Sequence, residues 1–222
     1  IKKIAYHLDF PVGSLSSYPL FELAKKAKSK GIKVIISGEG ADEIFGGYAR
    51  YMPIANNYYL ERNFPSYKKM FRKLYKDWPT EYSKLISRDE NFIFVRNKIK
   101  EIFDDFEDPI NAMGFVDFKF VMPSLLQMGD RMSSAHGVEN RCPFLDKRII
   151  EFGFSLEPEY KIFNLQQKKI INEIFRRKNS SLNIENEKKG LSFNYNHWFN
   201  DKDQTRKKYF ELLNYNWKKN FN

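Results

Sequence analysis

The stretch Ser37-Gly38-Glu39-Gly40-Ala41-Asp42-Glu43 sets three acids among two glycines directly after a β-branched run, in a chain whose formal net charge is +10. Glycines let a backbone approach a ligand closely and adopt dihedrals closed to other residues. Amides that leave a strand and open a helix form a positive cradle for phosphate. Carboxylates beside phosphate need a cation between them, and oxygen ligands on a compact loop favour Mg²⁺. Asp42 is therefore the expected Mg²⁺ ligand, bridging protein and pyrophosphate, with Gly38 and Gly40 beside the bound nucleotide. The plainer alternative is a glycine turn whose acids favour a helix N-terminus. No Gly-Lys-Ser/Thr follows, so the stretch is not a Walker A loop.

A second constellation runs from Leu125 to Asp146 and gathers Asp130, Arg131, His136, Glu139, Arg141 and Asp146 in otherwise apolar surroundings. Buried charges must be paired, so Glu139 with Arg141 or Arg131 fits a structural network. The same groups fit the ammonium and carboxylate of an amino-acid substrate. His136 has no metal-ligand spacing to His7 or His197 and is expected as a core histidine. A third stretch, Glu187 to Trp198, carries a Lys pair before a glycine. Near phosphates a lysine neutralises charge developing on a leaving pyrophosphate.

The elements that must position these groups are partly legible. Leu20, Leu23, Ala24 and Ala27 fall at helical spacing and predict a helix over 19–30, with Pro19 in its first turn, Ser16 and Ser17 as capping hydroxyls and Gly31 at its end. Ile32 to Ser37 then predicts a strand buried on both faces, as in a parallel sheet. Its partners are expected upstream of Ile1 or on another chain, and a ligand is expected at its carboxyl end. Residues 49–110 are rich in aromatics and Lys with patchy helical periodicity. Two helices separated at Pro123 are expected over 111–135. Asp146 is expected to cap a helix carrying Ile149 and Ile150, and Asn164 one carrying Ile170, Ile171, Ile174 and Phe175. The tail from Asp201 takes no assignment.

Composition narrows the class. With 222 residues, 42% apolar residues and 21 Phe, the chain is long and apolar enough for a globular core. Its 38 basic residues against 28 acidic ones would suit nucleic acid, a membrane surface or an anionic substrate. They are mostly Lys scattered over helix faces, which weakens the nucleic-acid case. The single Cys142 excludes internal disulfides and fits a reducing cytoplasm. No apolar run has transmembrane length, no signal-peptide pattern opens the chain, and a start at Ile1 looks like a fragment of something longer.

Taken together and in order along the chain, "DFPVGSLSSYP", "SGEGADEIFGGY", "DRMSSAHGVENRCPFLD" and "KKGL…W" resemble the C-terminal synthetase domain of the glutamine-hydrolysing asparagine synthetase family. The resemblance runs along nearly the whole chain and is weakest over 52–110 and after Trp198. It implies an α/β fold, a doubly wound parallel sheet of the adenine nucleotide alpha hydrolase type. The present chain would supply a mainly helical part of it, with one clear parallel-type strand near 32–37. Residues 1–48 would end the ATP-binding part, 49–200 form the helical part, and 201–222 a tail.

The same resemblance implies ATP and Mg²⁺ as cofactors, aspartate and glutamine-derived ammonia as substrates, and an N-terminal glutaminase domain in the same polypeptide. A homodimer, but neither nucleic acid nor membrane, is among the implied partners. Ser37, Gly38 and Gly40 would contact ATP, Glu39 would assist acyl-adenylate formation or accept a proton from ammonia, and Asp42 would hold Mg²⁺. Lys188 would meet the phosphates, and Glu43 and Asp130 the substrate's amino group. Glu139 and Arg141 would face the substrate or brace the residues that do.

The chain departs from the family pattern at Ser14, where Asp is usual, at Asn186, where Arg is usual, and at Leu191, where Phe is commoner. It carries neither the Ser-Gly-Gly-x-Asp-Ser pyrophosphate loop nor an N-terminal nucleophilic cysteine, so by itself it is expected to be inactive. Two alternatives stand beside the ligase: a relative that amidates or cyclises another acid, as β-lactam synthetases do, and a non-catalytic basic binding module.

Overall fold

The computed structural model describes residues 1–10, 14–63, 77–86, 93–164, 166–178 and 205–221. They fall into two compact units. The first holds Ile1–Ser37, Pro123–Pro143 and the described residues after 204; the second holds the described residues of Gly38–Met122 and Phe144–Glu185. Most described residues are helical, with one small parallel sheet, as an α/β fragment of the nucleotide alpha hydrolase type requires.

In the first unit α1 (Lys2–His7) and α2 (Ser17–Ser29) precede β1 (Val34–Ile36). Helix α2 begins two residues earlier than its apolar spacing predicts, and it ends as predicted, at Gly31 in the left-handed region (φ 74°). The expected hydroxyl caps are absent. Ser16 makes no side-chain cap bond, and Ser17 Oγ instead bonds Ser14 O at 3.2 Å and the Tyr209 hydroxyl at 2.9 Å.

Strand β1 pairs in parallel with β2 (Glu139–Arg141), in the register Val34–Glu139, Ile35–Asn140, Ile36–Arg141. A partner therefore lies within this chain, which corrects the expectation that partners sit only upstream or on another chain. Glu-Asn-Arg has none of the β-branched or aromatic character that marks a strand, so its pairing was invisible in sequence. The predicted two-sided burial is also corrected: Ile36 is 76% exposed, and Ile32 and Val34 on the same face are exposed too.

Helix α8 (Met122–Ser134) and the C-terminal helix, α12 (Thr205–Phe221), complete this unit. Ile4 and Leu8, Met128 and Met132, and Tyr209 and Leu213 each sit four apart and close one core around Phe21. The tail that sequence left unassigned is thus mostly a helix seated on α1.

The second unit contains α3 (Ala41–Phe45), α4 (Met52–Asn63), α5 (Trp78–Ile86), α6 (Ile93–Asp104), α7 (Pro109–Phe120), α9 (Lys147–Ser155), α10 (Pro158–Lys161) and α11 (Lys169–Lys178). Two helices are present as predicted, but the α7–α8 break falls at Val121, two residues before the division expected at Pro123. Pro123 stands in the first turn of α8, where a missing N–H costs nothing. Asp108, not foreseen, caps α7 by accepting from the Ile110 and Asn111 amides at 2.9 and 2.8 Å, with Pro109 at the first helical position. Asp146 caps α9 as predicted, accepting from the Arg148 amide at 2.9 Å. Asn164 stands well before the first turn of α11, which opens from Lys168, and is not its N-cap. It takes φ 48° in a turn before α11, a conformation asparagine tolerates better than most residues. Ile54, Ile99, Ile110, Met113 and Val116 are among the residues that build the core, with the Tyr51 and Tyr82 rings.

Candidate functional site

The acidic glycine stretch leaves β1 as the sequence predicts. The Ser37 amide donates to Arg141 O at 2.9 Å and extends the ladder by one bond, while Ser37 Oγ lies 3.2 Å from Cys142 Sγ. Cys142 is half-buried against that hydroxyl.

The two glycines differ in what they permit. Gly38 is exposed, and a Cβ added there would meet nothing within 4 Å, so a ligand could approach its backbone. Gly40 is buried at φ 93°, where a Cβ would lie 2.5 Å from Leu145 Cδ2. Gly40 therefore serves the turn and its packing. Helix α3 has only 5 residues and ends on Gly46 in the left-handed region. So short a helix adds little dipole, and any phosphate cradle here must come from the loop amides themselves.

Asp42 and Glu43 point to different surroundings although adjacent. The half-buried Asp42 pairs through Oδ1 with Lys168 Nζ at 2.9 Å. This pair lies across Gly47, whose added Cβ would collide with Asp42 Oδ1 and Lys168 Cε. Glu43 is 2% exposed and accepts a hydrogen bond from the Tyr48 hydroxyl. Burial pushes the Glu43 carboxyl above the usual carboxylate range, opposed by the Tyr48 bond, and burial likewise raises the Tyr48 hydroxyl. As arranged, Glu43 is enclosed and braces the loop from inside. Arg50 lies 3.8 Å over the Tyr48 ring and pairs with the fully buried Asp117.

The other predicted residues lie in the first unit. Asp130 is exposed on α8 and pairs with Arg131 at 3.0 Å, while Arg131 also holds Asp9 at 2.8 Å. Glu139 and Arg141 pair with each other at 2.9 Å on the exposed face of β2, and this hydrogen-bonded pairing lowers the Glu139 carboxyl and raises the Arg141 guanidinium. Of the two partners weighed for Glu139, the structure chooses Arg141. His136 is only partly enclosed, its ring 4.3 Å from Phe21 and its buried Nε2 without a hydrogen-bond partner among the described residues; burial lowers its pKa. Lys188 lies outside the described residues.

Sequence reasoning missed Lys168. Its signal was faint: a lysine in a Lys-Lys pair before a helical run, like many others in a lysine-rich chain. Only its left-handed backbone (φ 50°) and its ion pair with Asp42 mark it.

Among the described residues no group of three or more His, Cys, Asp or Glu is arranged to hold a metal alone. Mg²⁺ commonly uses one or two carboxylates, with phosphate and water supplying the rest. Asp42, half-buried beside the open Gly38 loop, fits that lesser demand. No helix among the described residues is long and apolar enough to cross a membrane.

The chain is similar in sequence to known proteins. The chain is 28% identical to asparagine synthetase [glutamine-hydrolyzing] 1 of Bacillus subtilis, over 74% of this chain and 31% of that one. It is 28% identical to the asparagine synthetase [glutamine-hydrolyzing] of Sandersonia aurantiaca, over 80% and 25%. A putative asparagine synthetase [glutamine-hydrolyzing] 1 of Methanocaldococcus jannaschii is 30% identical over 68% and 19%. The chain thus spans between 19% and 31% of the length of these curated relatives. No solved structure matches it. The sequence pattern of the asparagine synthase family matches residues 1–220, and the chain belongs to that family.

Proposed function

We propose that this chain is part of an ATP-dependent, amide-forming ligase that converts aspartate to asparagine with ammonia drawn from glutamine. The observation that carries the proposal is the SGEGADE loop. Its Gly38 backbone is open, and its Asp42 carboxylate is held beside a lysine at the Gly47 corner.

In the proposed reaction an oxygen of the aspartate side-chain carboxylate attacks the α-phosphorus of ATP. The bond from that phosphorus to the bridging oxygen breaks, and its electron pair leaves with pyrophosphate. Ammonia then attacks the acyl carbon, a proton is lost from its nitrogen, and AMP departs with the ester oxygen. Activation is needed because a free carboxylate is a poor electrophile.

Gly38 and Ser37 would bear on the nucleotide, with Gly40 shaping the turn beneath it. Glu39 would promote acyl transfer or take the ammonia proton. Asp42 would hold Mg²⁺, which when bound offsets negative charge on the phosphates. Lys168, released from Asp42, and Lys188 would meet the departing pyrophosphate. Asp130 is the proposed contact for the substrate's amino group, with Glu139 and Arg141 nearby in sequence as bracing residues. Glu43 changes role in this proposal, from substrate contact to internal brace. The setting we infer is the cytoplasm, with a glutaminase domain in the same polypeptide.

The test is pyrophosphate release by the full-length protein given ATP, Mg²⁺ and each candidate acid in turn. Release with aspartate is expected, with loss in Glu39→Gln and Asp42→Ala that added ammonia does not restore. Release with some other acid alone would shift the reading to a ring-closing or tailoring relative. Wild-type turnover in both variants would remove the assigned roles.

A further inference from the structure

Lys161 ends α10 and is 2% exposed, which is rare for a lysine without an acidic partner. Its ammonium group donates to Asn111 Oδ1 and lies 4.9 Å from the centroid of the Phe154 ring. Asn111 is fixed in turn: its Nδ2 donates to Asp108 Oδ2 at 2.8 Å and to Leu156 O at 3.1 Å.

The charged groups around it are otherwise engaged. Asp108 on α7 caps that helix and attracts Lys161 only across Asn111. Asp117, further along α7, is taken by Arg50 and Tyr51. Glu159 on α10 is held by Arg62 of α4, and Glu157 is exposed at the α10 N-cap. Lys168 is paired with Asp42, Lys169 lies over the Phe163 ring, and α9 contributes the uncharged Phe154. A buried ammonium with one neutral acceptor for its three donors is held at a cost that a neutral amine escapes.

The turn that carries Lys161 also supports the candidate site. The next residue, Ile162, packs on Gly46 so closely that a Cβ there would lie 2.7 Å from Ile162 Cγ1. Gly47 beyond it underlies the Asp42–Lys168 pair.

We propose that Lys161 is a proton-linked latch: as a neutral amine it keeps the 156–162 turn on α7 and under the Gly46–Gly47 corner, and proton uptake loosens both. Burial lowers the Lys161 amine to about 7, opposed by Asp108. Because the base is weaker in the closed form, the open form binds the proton more readily. Opening therefore grows as pH falls from the usual lysine range, about tenfold per unit for one proton, and levels off below about 7.

Hydrogen–deuterium exchange of the full-length protein, without nucleotide, tests this between about pH 7 and about pH 9.5, where the closed and open forms differ in proton occupancy. Protection factors of peptides spanning 156–163 and 44–48 are expected to climb about tenfold per pH unit. Lys161→Met is expected to flatten that climb and to raise protection at the acidic end. Peptides from 125–134, in the other unit, should barely respond. A flat wild-type profile overturns the latch whether or not the variant folds, and so does an equal climb in Lys161→Met. The exchange readout needs no ligase activity, so failure of the pyrophosphate assay and failure of the latch are distinguishable.

Discussion

Deleting the Asp117 carboxylate should unseat the candidate site from within. Asp117 is completely buried, and its Oδ2 accepts from the Tyr51 hydroxyl at 2.6 Å and from Arg50. Arg50 stacks over Tyr48, which in turn donates to Glu43 of α3, so one carboxylate on α7 steadies the loop through three side chains. Burial by itself would depress the Arg50 guanidinium, and Asp117, Tyr82 and Tyr51 together more than offset it. In Asp117→Ala that guanidinium keeps 28% of its side-chain surface in water but loses its counter-charge.

Stranding one partner of a fully buried pair costs about 3–5 kcal/mol, and partial exposure of Arg50 brings the figure down to about 2–3. Tyr51, fully buried, is left with only a 3.4 Å bond to Met113 O, adding about 1 kcal/mol. The expected loss is therefore about 3–4 kcal/mol. The double variant Arg50→Met/Asp117→Leu strands no charge and should cost less than Asp117→Ala, under about 2 kcal/mol. Urea titration of the full-length protein gives both values from midpoint and slope. A single variant costing below about 1 kcal/mol, or a double variant costing more than the single, refutes the reasoning.

Other outcomes follow from the same coordinates. Gly38→Ala should leave stability within about 0.5 kcal/mol, because its Cβ meets nothing, yet reduce pyrophosphate release; normal release would deny a close nucleotide there. Gly40→Ala should cost about 1–3 kcal/mol in the melting curve, since φ 93° and Leu145 both oppose a side chain. Lys168→Met should lower the rate of pyrophosphate release more than it alters the Km for aspartate; an unchanged rate would leave Lys168 as a mere partner of Asp42. Asp108→Ala removes two cap bonds and should destabilise by about 1–2 kcal/mol in urea, with exchange quickest at the start of α7.

Local chemistry was legible in the residues alone. Apolar spacing located α2, Pro123 announced a division that falls two residues earlier, Asp146 announced a cap, and four motif blocks together named the family. Each of these depends on neighbours a few positions away, whose geometry the backbone dictates. The partner of β1 did not show, because Glu-Asn-Arg pairs through its backbone and its side chains carry no strand pattern.

The fate of the charged side chains did not show either. Sequence placed Asp42 and Glu43 side by side and aimed both at ligands, one at Mg²⁺ and one at the substrate's amino group. The fold turned one toward Lys168, more than a hundred residues on, and enclosed the other with Tyr48. It likewise sank Lys161 beneath a glycine corner in a chain whose many lysines otherwise read as solvated surface. Residue type sets what a group can do. Which groups meet, and whether water reaches them, depends on contacts between distant segments, and only the folded chain decides that.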